Sequence, residues 1–321
     1  MRRSHSVLLL ALLVLAWAGF ASAQQAKTPS LIDPGPALPE REQIQESRIS
    51  SLTAWTYEAG PSGALGEGYR VSRTEFDREG NTLEQTSFDR DGSVMQRAVN
   101  AYDEAGFLVE CVNEERSGVG DSRNVFEYDG ELLMGTTSYR PDGTLLVRTT
   151  CEYDVYDQLT ATTTEIPELD IVQRLVFEYD EDGNAIAAAT YDQDGDVVAS
   201  SATIYDENGW PVESTGYLPD GSVSSVTVYT YDDAGHITEL VVTKADGTVV
   251  QTVLNSYDAD GRVVETVTSN PAAGVEYRVE IEYDESGNRV VERTYNKLGQ
   301  LVGERRYVYE YHPGEPAEQG D

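Results

Sequence analysis

Tyr257-Asp258-Ala259-Asp260-Gly261-Arg262-Val263-Val264 decides the reading of this chain, and Tyr283-Asp284-Glu285-Ser286-Gly287-Asn288-Arg289-Val290 repeats it one unit later. Asp is favoured at the first position of a type I turn, where its carboxylate accepts backbone N–H groups. Glycine three residues on can take a positive φ and form the bulge of a three-residue hairpin loop. The same signpost, an aromatic followed by Asp-x-x-Gly, stands at Tyr102-Asp103 with Gly106, Tyr179-Asp180 with Gly183, Tyr205-Asp206 with Gly209, and Tyr231-Asp232 with Gly235.

Followed in both directions, the signpost has a period. Aromatics recur at Phe76, Tyr102, Tyr128, Tyr153, Tyr179, Tyr205, Tyr231, Tyr257, Tyr283 and Tyr309, at intervals of 26, 26, 25 and then 26 six times. A second marker falls 11 or 12 residues into most units, at Phe88, Tyr139, Tyr191, Tyr217, Thr243 and Tyr295. Between turns lie 7 to 9 residues rich in Val, Thr, Tyr and Ile, a usual strand length. The pattern predicts an all-β fold of tandem antiparallel β-hairpins, two strands and two turns per 26-residue unit. No segment keeps a 3.6-residue period, so helix is expected to be absent. The loop geometry also sets a register: each aromatic should face the residue two after glycine, as in Tyr257 with Val263 and Tyr102 with Leu108. Between Gly221 and Tyr231 neither face is a continuous apolar stripe. A two-layer sandwich would need clean alternation, so the hairpins should form an elongated or spirally curled repeat sheet.

The Tyr-Asp-x-x-Gly units, with Arg or Asn after glycine and then aliphatic residues, resemble the YD repeats of Rhs and teneurin proteins over roughly Phe76–Tyr311. The resemblance implies β-hairpins that spiral into a wide hollow shell, enclosing a toxin domain in some members and mediating recognition at cell surfaces in others.

The chain has 321 residues, with 57 acidic against 23 basic and a formal net charge of −34. Such an excess argues against nucleic acid and anionic membranes as partners, because both require cationic surface. Arg2 and Arg3, the apolar stretch Val7–Ala16 and the triplet Ala21-Ser22-Ala23 make residues 1–23 a signal peptide. The apolar run is too short to span a membrane, so no transmembrane segment is expected after cleavage. Residues 24–50 hold Pro29, Pro34, Pro36 and Pro39 and are expected to be an extended linker. The repeat domain is assigned to residues 51–312, and residues 313–321 to a disordered acidic tail. Export would permit a disulfide, but Cys111 and Cys151 are placed three strands apart, roughly 14 Å in a flat sheet, too far to bridge.

Few residues point to chemistry. Asp180 and Asp182, with Asp192, Asp194 and Asp196, look like fragments of oxygen-ligand loops and are the candidate calcium ligands. The competing account is that these carboxylates serve the turns themselves. One edge collects an acidic stripe that includes Asp103, Asp180, Asp206, Asp232, Asp258 and Asp284; the opposite, mid-unit edge loses the motif at Glu114–Asp121, Glu165–Asp170 and Ser269–Gly274. Loops that vary on a rigid scaffold are where binding resides. After signal cleavage only His236 and His312 remain among histidines, and no nucleophile motif or phosphate-cradling loop occurs, so an enzyme is not expected. An outer-membrane barrel needs an unbroken apolar outer face, which Glu213, Glu239, Glu265, Glu292 and Arg293 interrupt. The sequence therefore reads as an exported, non-catalytic scaffold at the periplasm or cell surface that binds protein or glycan ligands without a cofactor. Two alternatives stand beside it: a short relative of a Rhs-type toxin-delivery shell, and a calcium-dependent adhesion module.

Overall fold

The computed structural model describes residues 38–313. The expected signal peptide, residues 24–37 of the expected linker, and residues 314–321 lie outside them. Among the described residues the chain forms one short helix, α1 (Arg41–Ser47), a 3-10 turn at Pro167–Leu169, and twenty strands, β1 (Ile49–Glu58) to β20 (Leu301–Tyr311). Strand ends coincide with the sequence markers: Phe76, Phe88, Tyr102, Tyr139, Tyr153, Tyr179, Tyr191, Tyr205, Tyr217, Tyr231, Tyr257 and Tyr283 each terminate a strand.

The register follows from the turns. Tyr102 pairs with Leu108, Tyr231 with Ile237, Tyr257 with Val263 and Tyr283 with Arg289, each with a one-residue bulge beside the aromatic. The single 25-residue interval also has a local cause: Tyr128 pairs with Leu133, five residues on rather than six, because the Asp129-Gly130 turn is one residue shorter.

Every strand pairs antiparallel with the strands before and after it, and β1 pairs with both β2 (Tyr69–Phe76) and β20. The sheet is therefore a closed up-and-down barrel of twenty strands, not the elongated or spirally curled sheet expected from sequence. The physical reason lies in β1. An open array of hairpins would expose unpaired N–H and C=O groups on two edge strands, and closure removes both edges. Across the seam Leu52 pairs with Tyr309 and Thr53 with Val308, while Leu52 pairs with Thr74 on the other side.

Burial concentrates at that seam. Ile44 in α1, Ile49, Leu52 and Ala54 in β1, Phe76 in β2 and Tyr307 in β20 are all buried, and Ile49 is 0% exposed. Arg73 on β2 ties the three strands together from the opposite face, donating to Glu310 Oε2 (2.9 Å), Glu75 Oε1 (3.1 Å) and Thr53 Oγ1 (3.3 Å). Ser51 Oγ donates to the same Glu310 carboxylate at 2.8 Å, and these bonds hold the Glu310 carboxyl below its ordinary range.

The linker expectation fails from Arg41 onward. Arg41-Glu42-Gln43-Ile44-Gln45-Glu46-Ser47 is a run of good helix formers after the last proline, and it forms α1 because Ile44 finds a buried site. Arg48, at φ 58°, ends the helix and turns the chain into β1.

Candidate functional site

The barrel has two rims, and they are built differently. On the rim that carries the Tyr-Asp turns, the Asp carboxylate organises the loops, the short Asp129-Gly130 turn excepted. Asp258 Oδ1 accepts the backbone N–H groups of Asp260 and Arg262, both at 2.9 Å, while its Oδ2 accepts Arg262 Nε at 2.8 Å. Asp180, Asp206, Asp232 and Asp284 each accept the equivalent pair of backbone N–H groups, and Asp103 does so from Ala105 and Phe107. Because these bonds favour the charged form, the carboxyls of Asp180, Asp206, Asp232 and Asp258 lie below the ordinary aspartate range. In the turn after Tyr153, Asp157 replaces the glycine and still takes the left-handed conformation, at φ 62°.

The tyrosines do more than face an aliphatic partner. Tyr231 Oη donates to the carbonyl of Pro211 (2.7 Å), Tyr257 to that of Ile237 (2.7 Å) and Tyr283 to that of Val263 (2.8 Å). The same bond, always twenty residues back, is made by Tyr102, Tyr128, Tyr153, Tyr179, Tyr205 and Tyr309. Its cause is the end of a ladder. Pairing between β15 (Ile237–Lys244) and β16 (Val249–Tyr257) stops at Glu239–Leu254, which leaves the Ile237 carbonyl without a strand partner until the hydroxyl reaches it. Burial pushes the Tyr153 and Tyr231 phenols up to about 12 and raises those of Tyr102, Tyr128, Tyr179, Tyr205 and Tyr257.

Neighbouring turns on this rim also nest. The residue after each glycine reaches under the next turn: a Cβ on Gly235 would stand 2.5 Å from the Trp210 ring, and one on Gly261 would stand 2.9 Å from His236 Nε2. The same side chains pack on the next tyrosine, Trp210 on Tyr231 (5.3 Å between centroids), His236 on Tyr257 (4.7 Å) and Phe107 on Tyr128 (5.0 Å). Helix α1 fills the place between the last turn and the first. Gln43 Nε2 donates to Oδ1 of Asn288 (3.0 Å), a side chain only 1% exposed, and the Arg41 carbonyl lies 2.6 Å from a Cβ built on Gly80.

On the mid-unit rim the glycines at 92, 143, 195, 221, 247, 274 and 299 have nothing within 4 Å of such a Cβ. These turns do not nest, and among the described residues neighbouring ones are joined only by exposed side chains: Arg90 with Glu58 (3.1 Å), Arg116 with Asp89 (3.1 Å), Arg140 with Glu168 (2.5 Å), and Lys297 Nζ donating to the Gly274 carbonyl (3.2 Å). Several use a different aspartate, the one just before glycine: Asp91, Asp142, Asp220 and Asp246 accept the backbone N–H of Ser93, Thr144, Ser222 and Thr248. Sequence reading missed this Asp-Gly-Ser/Thr signal, although it is visible in the chain. The irregular loops also lie here. Asp121 Oδ1 accepts the Glu115 N–H (2.7 Å), Asp170 closes the Pro167–Leu169 turn at φ 53°, and Asn270 Oδ1 accepts the Ala273 N–H (3.0 Å).

The five candidate calcium ligands fall on both rims. Asp180 and Asp182 sit in the Tyr-Asp turn, while Asp192, Asp194 and Asp196 belong to the mid-unit turn at the other end of β11 (Ala185–Tyr191). Asp192 Oδ1 accepts the backbone N–H of Asp194 and of Asp196, both at 3.0 Å. Among the described residues no three His, Cys, Asp or Glu side chains are grouped to hold an ion. Cys111 on β5 (Leu108–Glu115) and Cys151 on β8 (Leu145–Tyr153) are free thiols three strands apart, and burial pushes the Cys151 thiol up to about 11. His236 is absorbed into its turn, with Nδ1 2.9 Å from Asp232 Oδ2. No helix of the described residues is long and apolar enough to cross a membrane.

On the strand face opposite the tyrosines a diagonal belt of ion pairs links neighbouring units: Arg97 with Glu84 (2.7 Å), Arg123 with Glu110, and Arg278 with Glu265 (3.2 Å). In each the arginine stands five residues before a repeat tyrosine, Tyr102, Tyr128 or Tyr283. At the equivalent places Val226 and Thr252 leave Glu213 and Glu239 without an ion pair.

Fold and rims together define a closed barrel of tandem β-hairpins. Residues 205–249 match the RHS Repeat family model, and the chain carries repeats of the YD/Rhs type. Among solved structures it is similar to the Photorhabdus luminescens Tc holotoxin pore, at 12% identity and TM-score 0.31, covering 77% of this chain and 18% of that one. The chain thus spans less than a fifth of that relative's length. It is also similar to porin-like proteins from Bacteroides uniformis (12% identity, TM-score 0.37, 82% and 98% of the two chains) and Bacteroides vulgatus (12%, 0.27, 83% and 98%). No curated protein matches the chain.

Proposed function

We propose that this protein is an exported, non-catalytic β-repeat scaffold that holds protein or glycan ligands on its mid-unit rim, at the periplasm or cell surface. One observation carries the reading: the Tyr-Asp rim is consumed by its own nested turns and by α1, whereas the mid-unit turns are linked only through exposed side chains and hold the longer irregular loops at 116–121, 167–170 and 271–274. Variation is tolerated where no neighbouring turn depends on it, and a rigid barrel then presents that variation. In this reading no metal is required, which is supported by the first aspartate of turns such as those at 192 and 258 already accepting two backbone N–H groups. Screening the mature chain on protein and glycan arrays tests the reading, alongside a variant whose Arg116–Asp121 loop is replaced by a plain three-residue turn. Binding that weakens in the loop variant supports it, and a ligand captured equally by both refutes it.

A second reading, a short relative of a Rhs-type toxin-delivery shell, is favoured by the RHS Repeat match at 205–249. It requires a toxin and immunity pair encoded beside this chain. Genes of that kind next to it would decide for the shell.

A further inference from the structure

A groove of about 410 Å³ opens on the tyrosine-bearing face near the mid-unit rim, across β2, β3 (Thr82–Phe88), β4 (Val94–Tyr102) and β5. Its floor is set by register. Ser72 pairs with Ser87, Ser87 with Gln96 and Gln96 with Glu115, so these four side chains form one straight row on one face. Three strand spacings make the row about 14 Å long. A second row beside it carries Gln85, Ala98 and Asn113. The loop after Glu115 folds back as a wall, and Gly120 lies so close over the Glu115 carboxylate that any Cβ there would collide with it.

The chemistry of this floor is narrow. Ser72, Gln85 and Ser87 make no hydrogen bond through their side chains, so two hydroxyls and one amide are unspent. Gln96 spends one N–H on Glu115 Oε1 (3.0 Å), and Asn113 spends one on Ser122 Oγ (3.2 Å), leaving further donor and acceptor capacity on both amides. Arg97 also borders the groove, but Glu84 at 2.7 Å and Glu114 at 3.5 Å occupy its guanidinium. An anionic ligand therefore meets no free cation and does meet Glu115. An apolar ligand meets no aromatic or large aliphatic side chain. Resting on the mid-unit-rim reading above, we infer that this groove takes a neutral oligosaccharide, whose successive hydroxyls both donate and accept along the row. Its volume lies within the usual range for small-ligand sites.

Saturation-transfer NMR on the mature chain with neutral oligosaccharides taken from an array hit tests this. The variants are Ser87→Val and Gln85→Leu, both compatible with a strand, with Ser201→Val in β12 (Val197–Tyr205) as the control. Each lost hydrogen bond should weaken binding about threefold to tenfold in the two groove variants and leave the control unchanged. Neutral sugars that bind all four proteins equally would overturn the groove while leaving a ligand-binding rim intact. Binding of proteins or acidic glycans alone would do the same. A chain that binds nothing on either array overturns both readings.

Discussion

Replacing Tyr231 by phenylalanine isolates the hydroxyl contribution to the barrel, because the ring that packs on Trp210 stays. The lost bond runs from Tyr231 Oη to the Pro211 carbonyl at 2.7 Å, and no other side chain donates to that oxygen. Pro211 is buried, so its carbonyl would remain unsatisfied. Leaving a buried acceptor without a partner costs about 1–3 kcal/mol, and the lower half of that range applies at a rim that water can approach. Tyr257→Phe provides the internal comparison. There the Ile237 carbonyl keeps a second donor, Asn255 Nδ2 at 3.1 Å, so only the net worth of one hydrogen bond is lost, about 0.5–1 kcal/mol. Tyr217→Phe, on the mid-unit rim where the hydroxyl makes no bond, should change stability by less than about 0.5 kcal/mol. Urea unfolding of the three variants measures all of this, with equal slopes as the condition for comparing midpoints. Equal costs at 231 and 257, or a cost at 217 as large as at 231, would refute the idea that the hydroxyls close unfinished ladders. The alkaline limb gives an independent check. Burial raises the folded phenols above the unfolded value of about 10, so their stabilisation is full below that pH and is lost as pH climbs toward the folded value of about 12. Tyr231→Phe should shallow that loss in a spectrophotometric titration.

The glycines offer a second contrast. Gly235→Ala adds left-handed strain at φ 89° and a collision with Trp210, whereas Gly221→Ala at φ 79° adds strain of about 1 kcal/mol into open space, so thermal unfolding should drop clearly further for the former. On the acid side, the turn aspartates 180, 206, 232 and 258 have lowered carboxyl ranges, so stability should hold above pH about 4 and fall as pH drops through the folded values. Asn at all four positions should flatten that acid limb in urea midpoints measured against pH. Val226→Arg and Thr252→Arg should each supply the missing partner of Glu213 and Glu239, with a gain of about 0.2–1 kcal/mol that fades in high salt.

What could be read beforehand was local. Asp258 and Gly261 fix a turn within five residues, and that turn fixes the pairing of Tyr257 with Val263 without reference to the rest of the chain. Closure was not legible, because the closing partner of β1 is β20, whose first residue comes 252 after that of β1, and Ile49–Glu58 carries no turn signpost. The helix escaped for a related reason: its seven residues hold one apolar side chain, Ile44, too few to show a period. The tyrosine ladder did have a signal. A chain with 20 Tyr and 6 Phe, at positions that sequence logic asks only to be aromatic, is selecting for the oxygen. Of the candidate calcium aspartates, Asp180 and Asp192 were legible as turn residues, and each accepts two backbone N–H groups, whereas Asp182, Asp194 and Asp196 take part in those bonds through their backbone N–H.

Because β1 lies antiparallel to both β2 and β20, the circumference admits only an even count of strands. An ancestor that gained or lost a single strand would have brought β1 alongside a neighbour running in its own direction. Growth by duplication must then proceed by whole 26-residue units, each widening the ring by about 10 Å of perimeter and adding one link to the nested rim. Relatives of this barrel should therefore come in sizes two strands apart, and the mid-unit loops should multiply in the same steps.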